Sequence, residues 1–163
     1  MRRTLLPFTI SACLAVGLAS CAAPVRAIPA DRPADFSMLV TVFPSDAAET
    51  ASWLRPARYA VEPDGYLRAE TGAGVAKPGF PPIARRLEPS QIDRLYTLAQ
   101  QLRDEDGTIV PGVEIYKPPA GERVALLEID AAGHDVATVH NLGNGTPAAP
   151  LIQELAHLAW LDR

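Results

Sequence analysis

The sequence predicts an α+β domain, a small antiparallel sheet of two hairpins plus an N-terminal strand, covered on one face by two helices. Three observations carry this. Two pairs of short β-rich runs are each joined by a turn signal, two segments repeat apolar residues at helical spacing, and the order is strand, hairpin, helix, hairpin, helix. No internal repeat at a solenoid period competes with it.

The first strand is Phe36-Ser-Met-Leu-Val-Thr-Val-Phe43, rich in apolar, aromatic and β-branched residues and stopped by Pro44. Residues 45–55, with Trp53, are expected to hold a short helical turn. Residues 58–62 and 66–71 flank Pro63-Asp64-Gly65 and make the first hairpin, with Gly65 supplying a positive φ. Residues 72–86 then carry six glycines or prolines, four of them flanking Phe80, and show no period, a length at which loops tend to be functional or mobile. Within them Phe80, Pro81, Pro82 and Ile83 form a stiff, partly apolar segment, suited either to covering the sheet or to being gripped by a partner.

The first helix opens at Leu87-Glu88-Pro89, where an early proline loses least, and Ile92, Leu95, Leu98, Ala99 and Leu102 make its core stripe. It stops near residues 104–107. Residues 108–123 are irregular again, with 113–116 as a candidate edge strand. The second hairpin pairs 124–130 with 135–140 around residues 131–134, and a closing helix from Pro150 to Trp160 has its stripe on Leu151, Ile152, Leu155, Leu158 and Ala159. Residues 36–163 are thus read as one globular domain, long enough to bury about two thirds of its unfolded surface.

Composition limits the function classes. The 163 residues carry 15 Lys+Arg against 19 Asp+Glu, a net charge of −4, with no basic cluster of the kind a nucleic-acid surface requires. Sixteen prolines are about twice the usual share of about 5%, so turns, loops and linker occupy much of the chain.

The N-terminus has its own logic. Arg2 and Arg3 precede an uncharged run from Leu5 to Leu18, interrupted by Pro7. Fourteen helical residues reach roughly 21 Å, short of the roughly 30 Å hydrocarbon core, so the layout is that of a secretory signal peptide rather than a membrane span. The run ends Leu18-Ala19-Ser20-Cys21, which resembles the lipobox of bacterial lipoproteins. That resemblance implies cleavage before Cys21, a diacylglyceryl thioether on its sulfur, and recognition of Leu18, Ala19 and Ser20 by the signal peptidase. It implies a membrane partner through the Cys21 lipid and a location in the bacterial envelope. Because Ala22, not Asp, follows the cysteine, the outer membrane is favoured over the inner, with the domain facing the periplasm.

Residues 1–20 are then the signal peptide and 21–35 a lipidated cysteine followed by a Pro/Ala-rich tether. Cys13 leaves with the leader and Cys21 is consumed, so the mature chain has no thiol for catalysis, zinc or disulfide exchange. Loss of two leader arginines and no acid lowers the balance to −6.

The body offers little chemistry. Glu128, Asp130, His134, Asp135 and His140 fall in one hairpin, the alternative reading being a small hydrolase or metal-dependent enzyme built on residues 128–140. Their spacing matches no zinc or acid–base motif, and the histidine of the last helix, His157, pairs with no second histidine at helical spacing. No serine lies in a nucleophile motif, and neither Gly72-Ala-Gly74 nor Gly143-Asn-Gly145 completes a dinucleotide or phosphate loop. We therefore expect no catalytic residue, metal or cofactor, and a binding or structural module whose partner is an envelope protein or the cell wall. In the spacing of hairpin, Leu87-Glu88-Pro89 helix and second hairpin, the body is similar to the emfourin-type protease inhibitors, which implies inhibition as a further alternative.

Overall fold

A computed structural model describes residues 29–45, 51–72, 79–104, 108–109, 116–143 and 145–161. Seven antiparallel strands form one sheet in the order β4-β3-β2-β1-β6-β7-β5: β1 (Ser37–Val42), β2 (Ala57–Val61), β3 (Tyr66–Thr71), β4 (Ile83–Arg86), β5 (Thr108–Ile109), β6 (Val124–Ala131) and β7 (His134–Asn141). The N-terminal strand lies in the middle, with the hairpin β2–β3 on one side and β6–β7 on the other. Helices α1 (Pro89–Asp104) and α2 (Ala149–Leu158) cover one face, and a 3-10 turn at Ser52–Leu54 carries Trp53. The expected α+β class and both hairpins are present.

Alternation along the strands decides what is buried. Met38, Val40 and Val42 of β1, Tyr59 and Val61 of β2, Leu67 of β3, and Leu127 and Ile129 of β6 point to the helices. They meet Leu95, Ala99 and Leu102 of α1 and Leu151, Ile152 and Leu155 of α2. Each such side chain contributes roughly 1.5–3 kcal/mol on burial, so this layer carries the stability of the fold.

Two strands lie beyond the expected five. β4 occupies the end of the stretch read as irregular, where Pro82 has just ended and the pattern Ile-Ala-Arg-Arg has no alternation. It pairs with β3 through a register shift at Leu67/Arg68, which explains why no period of two survives in it. The other is the short edge strand at Thr108–Ile109, paired with β7, and the candidate edge strand at 113–116 is not tested by it. Residues 113–115 lie outside the described residues, and Tyr116 sits edge-on to Phe43.

The body also begins earlier than Phe36. Tyr96 and Gln100 of α1 both donate hydrogen bonds to the Pro29 carbonyl, and Arg32 pairs with Asp93 at 2.6 Å. Asp35 accepts from the backbone N–H groups of Ala132 and Gly133 at 2.9 and 3.0 Å, tying the chain entry to the β6–β7 turn. These contacts hold its carboxyl below the ordinary range, the Ala132 N–H first among them. Residues 29–35, read as the end of a free tether, are therefore docked on α1 and the turn. The lipobox positions Leu18, Ala19, Ser20 and Cys21 lie outside the described residues.

Both hairpin turns show their backbone demands. Gly65 has φ +87° and donates its N–H to the Glu62 carbonyl; a Cβ there would come 3.3 Å from Ile92 Cδ1. In the second turn Ala132 and Gly133 have φ +54° and +68°, the two positive values of a type I′ turn, with alanine in a position that asparagine or glycine fits better.

Candidate functional site

The face of the sheet away from the helices is apolar at one end, where Leu126 of β6 is buried, and carries smaller side chains toward the other. Leu39 of β1 lies between Ala60 of β2 and Glu128 of β6, and Ala137 of β7 lies beyond Glu128. With alanines at two of these central positions, the face sinks into a groove of about 710 Å³. Pro63, Phe80 and Glu62 wall one side, and Asp130 and Asp135 stand at the other.

The wall is built by the segment around Phe80. Arg58 donates to the Gly79 carbonyl at 2.7 Å and Arg68 to the Pro81 carbonyl at 3.3 Å, while Ala69 N–H donates to the Pro82 carbonyl at 3.1 Å. Arg68 is itself held by Glu62 at 2.8 Å. Pro81 is thereby buried, whereas Phe80 is left 76% exposed, its ring 6.0 Å from the Arg68 guanidinium carbon. Of the four residues singled out in this segment, Pro81 anchors it, Pro82 is exposed, Ile83 opens β4 at 53% exposure, and Phe80 stands over the groove without packing on the sheet. Its role as a covering side chain is thus replaced by that of an overhang.

No protein-family model matches this sequence, and no curated protein or solved structure matches it significantly. The site stands on its own geometry.

Its electrostatics are acidic and partly unbalanced. Burial pushes the Glu128 carboxyl upward, with Arg58 opposing from across the sheet. Asp130 is also raised, first by lost hydration and then by the facing, hydrogen-bonded carboxyl of Asp135, its partner across β6 and β7. Such a like-charged cross-strand pair is unfavourable by itself.

The hairpin does not assemble the catalytic set that its sequence suggested as an alternative. Glu128, Asp130 and Asp135 share the open face, but β7 alternates, so His134, Thr138 and His140 point to the helix side. His140 is buried, lies 2.8 Å from Thr138 Oγ1 through Nε2, and has its pKa lowered by desolvation. Glu154 of α2 pairs with Arg94 of α1 at 3.2 Å. Among the described residues no three His, Cys, Asp or Glu side chains are placed to hold a metal, and no helix is long and apolar enough to cross a membrane.

Sequence reading missed Leu39, Ala60, Ala137, Arg58 and Arg68 as site residues. Only the strand register unites the first three, and only the folded loop turns two surface arginines into clamps.

Proposed function

We propose that this chain is a lipid-anchored protein of the bacterial envelope whose domain is a non-enzymatic binding module, engaging its partner through the open face of the sheet. The observation that carries the reading is the apolar groove beneath Phe80, floored by Leu39, Ala60 and Ala137 and edged by carboxylates. A concave apolar surface with a few convergent polar groups is the usual form of a binding site. The Leu18-Ala19-Ser20-Cys21 signature supports anchoring through Cys21, and Ala22 supports the outer membrane. A photo-crosslinking amino acid at Leu39, compared with one at the exposed Gln101 of α1, tests the reading in living cells. A discrete adduct from Leu39 and none from Gln101 is expected. Equal labelling from both, or turnover of an envelope substrate by the purified protein, contradicts it.

A second reading is favoured by Phe80 itself. A protruding aromatic on a backbone braced by Pro81, Arg58 and Arg68 has the rigidity a protease inhibitor needs at its contact loop. Inhibition of a chymotrypsin-like protease by the wild type but not by Phe80→Ala would select it. The absence of inhibition at high molar excess removes it.

A further inference from the structure

The exposed apolar side chains of the described residues are not scattered. Phe80, Ile83 and Trp160 are its three large exposed hydrophobics, at 76%, 53% and 50%. All three border the edge strand β4. Ile83 is paired opposite Arg68 and so stands on the open face with Phe80. Arg85, opposite the core residue Leu67, points to the helix face, where its guanidinium carbon lies 4.7 Å from the Trp160 ring. Arg86 completes the strand, exposed and 5.9 Å from the Tyr66 ring, in a depression it shares with Asp64 and Glu88.

Trp160 also occupies an unusual backbone position. It follows α2 with φ +57°, and Leu161 N–H reaches back to the Ala156 carbonyl at 2.8 Å, which makes it the left-handed residue of a Schellman cap. Glycine is the common residue there, and a bulky aromatic is strained. A strained, half-exposed tryptophan is explained by what its side chain touches, not by its backbone.

We infer that the β4 edge rests on the bilayer surface, with Trp160, Phe80 and Ile83 in the interfacial zone and Arg85 and Arg86 against anionic headgroups. The inference rests on the anchored reading above, because it uses the reach of the tether. Seven residues, eight steps along the chain, separate Cys21 from the docked Pro29, about 25 Å as polyproline II and about 16 Å as a coil. A domain of this size has a radius of gyration of about 14 Å and so a diameter of about 36 Å; the leash is shorter than the body and keeps it against the headgroups. Tryptophan and arginine are the residues that gain most from such an interface. A second copy paired edge to edge would crowd two Arg85-Arg86 pairs at one seam, which disfavours β4 as a dimer contact.

The test uses the mature lipidated protein in nanodiscs, with Trp53→Phe leaving Trp160 as the single tryptophan reporter. In bilayers containing phosphatidylglycerol and brominated acyl chains, Trp160 emission is expected to be quenched at least twofold and shifted to the blue. Arg85→Glu is expected to lose most of that quenching while circular dichroism and the melting midpoint show an intact fold. Identical emission in brominated and plain bilayers overturns the inference, as does a disulfide-linked dimer formed efficiently by Ile83→Cys. Mass spectrometry of the same sample separates the two readings. An unmodified Cys21 defeats the anchor, whereas a lipidated chain with unquenched Trp160 defeats the edge contact alone.

Discussion

The two faces of the sheet are made by alternate residues of the same strands, yet they differ in every physical respect. The helix side is filled by Val40, Val42, Leu67, Leu127 and Ile129 against two helices, and its polar members, Thr138 and His140, satisfy one another. The other side carries Leu39, Ala60 and Ala137, a half-buried carboxylate at Glu128, and arginines committed to bracing a loop. A sheet needs only one covered face to fold. The second face is not needed to close the core, and the difference teaches that, on the proposed reading, side-chain size and charge there are left free to serve binding rather than stability.

The sharpest way to break that contrast is truncation of one leucine on each side. Leu67→Ala, on the helix face, is expected to cost about 2–5 kcal/mol in urea unfolding, whereas Leu39→Ala should cost about 1 kcal/mol or less. Comparable losses would mean that the open face is a second core.

Gly65→Ala comes next. Its positive φ and the 3.3 Å approach to Ile92 act together at the point where the hairpin meets α1, and a loss of roughly 1–3 kcal/mol is expected. In the other hairpin, Ala132→Asn should stabilise by about 0.5–1 kcal/mol, since asparagine accepts the left-handed conformation that alanine holds at φ +54°. An unchanged melting midpoint would argue that the turn is relaxed as it stands.

The smallest effects are those of pH, and here the two faces have opposite signs. Glu128 has a raised pKa, so its favourable neutral form is fully present below the ordinary carboxylate range of about 4 and is lost as pH rises through the folded value. Glu128→Gln should therefore match the wild type at acidic pH and exceed it at neutral pH. His140 has a lowered pKa, so its contribution is intact above about 6.5 and declines as pH falls toward the folded value. Chemical denaturation across this range, comparing wild type with Glu128→Gln and His140→Gln, separates the two trends. A Glu128→Gln variant weaker than wild type at neutral pH would assign the carboxylate a structural partner.

Much of the helix face was legible in the sequence because helical stripes and β-rich runs are local patterns. Leu95, Ala99 and Leu102 declared α1, and Pro63-Asp64-Gly65 declared its hairpin. The open face was not legible, because Leu39, Ala60 and Ala137 come from three strands and only pairing brings them side by side. β4 was hidden for a related reason. It is an edge strand with a register shift, and its pattern is set by β3 and not by its own residues. Phe80 and its neighbours were recognisable as a stiff apolar segment, but Arg58 and Arg68, which decide how that segment is held, carry no sequence signal beyond an alternating strand. The docking of residues 29–35 on α1 depends on Tyr96, Gln100 and Asp93, helix residues that read as ordinary core and surface positions.

The central claim, that one face folds the domain and the other binds, is tested most directly by placing a lysine at Ala137, in the floor of the groove, and reading two quantities from the same cells. One is the photo-adduct formed from Leu39, and the other is the melting midpoint of the purified protein. The account predicts that Ala137→Lys abolishes the adduct while the midpoint stays close to that of the wild type. An adduct that persists, or a midpoint that collapses together with it, would contradict the division of labour between the two faces.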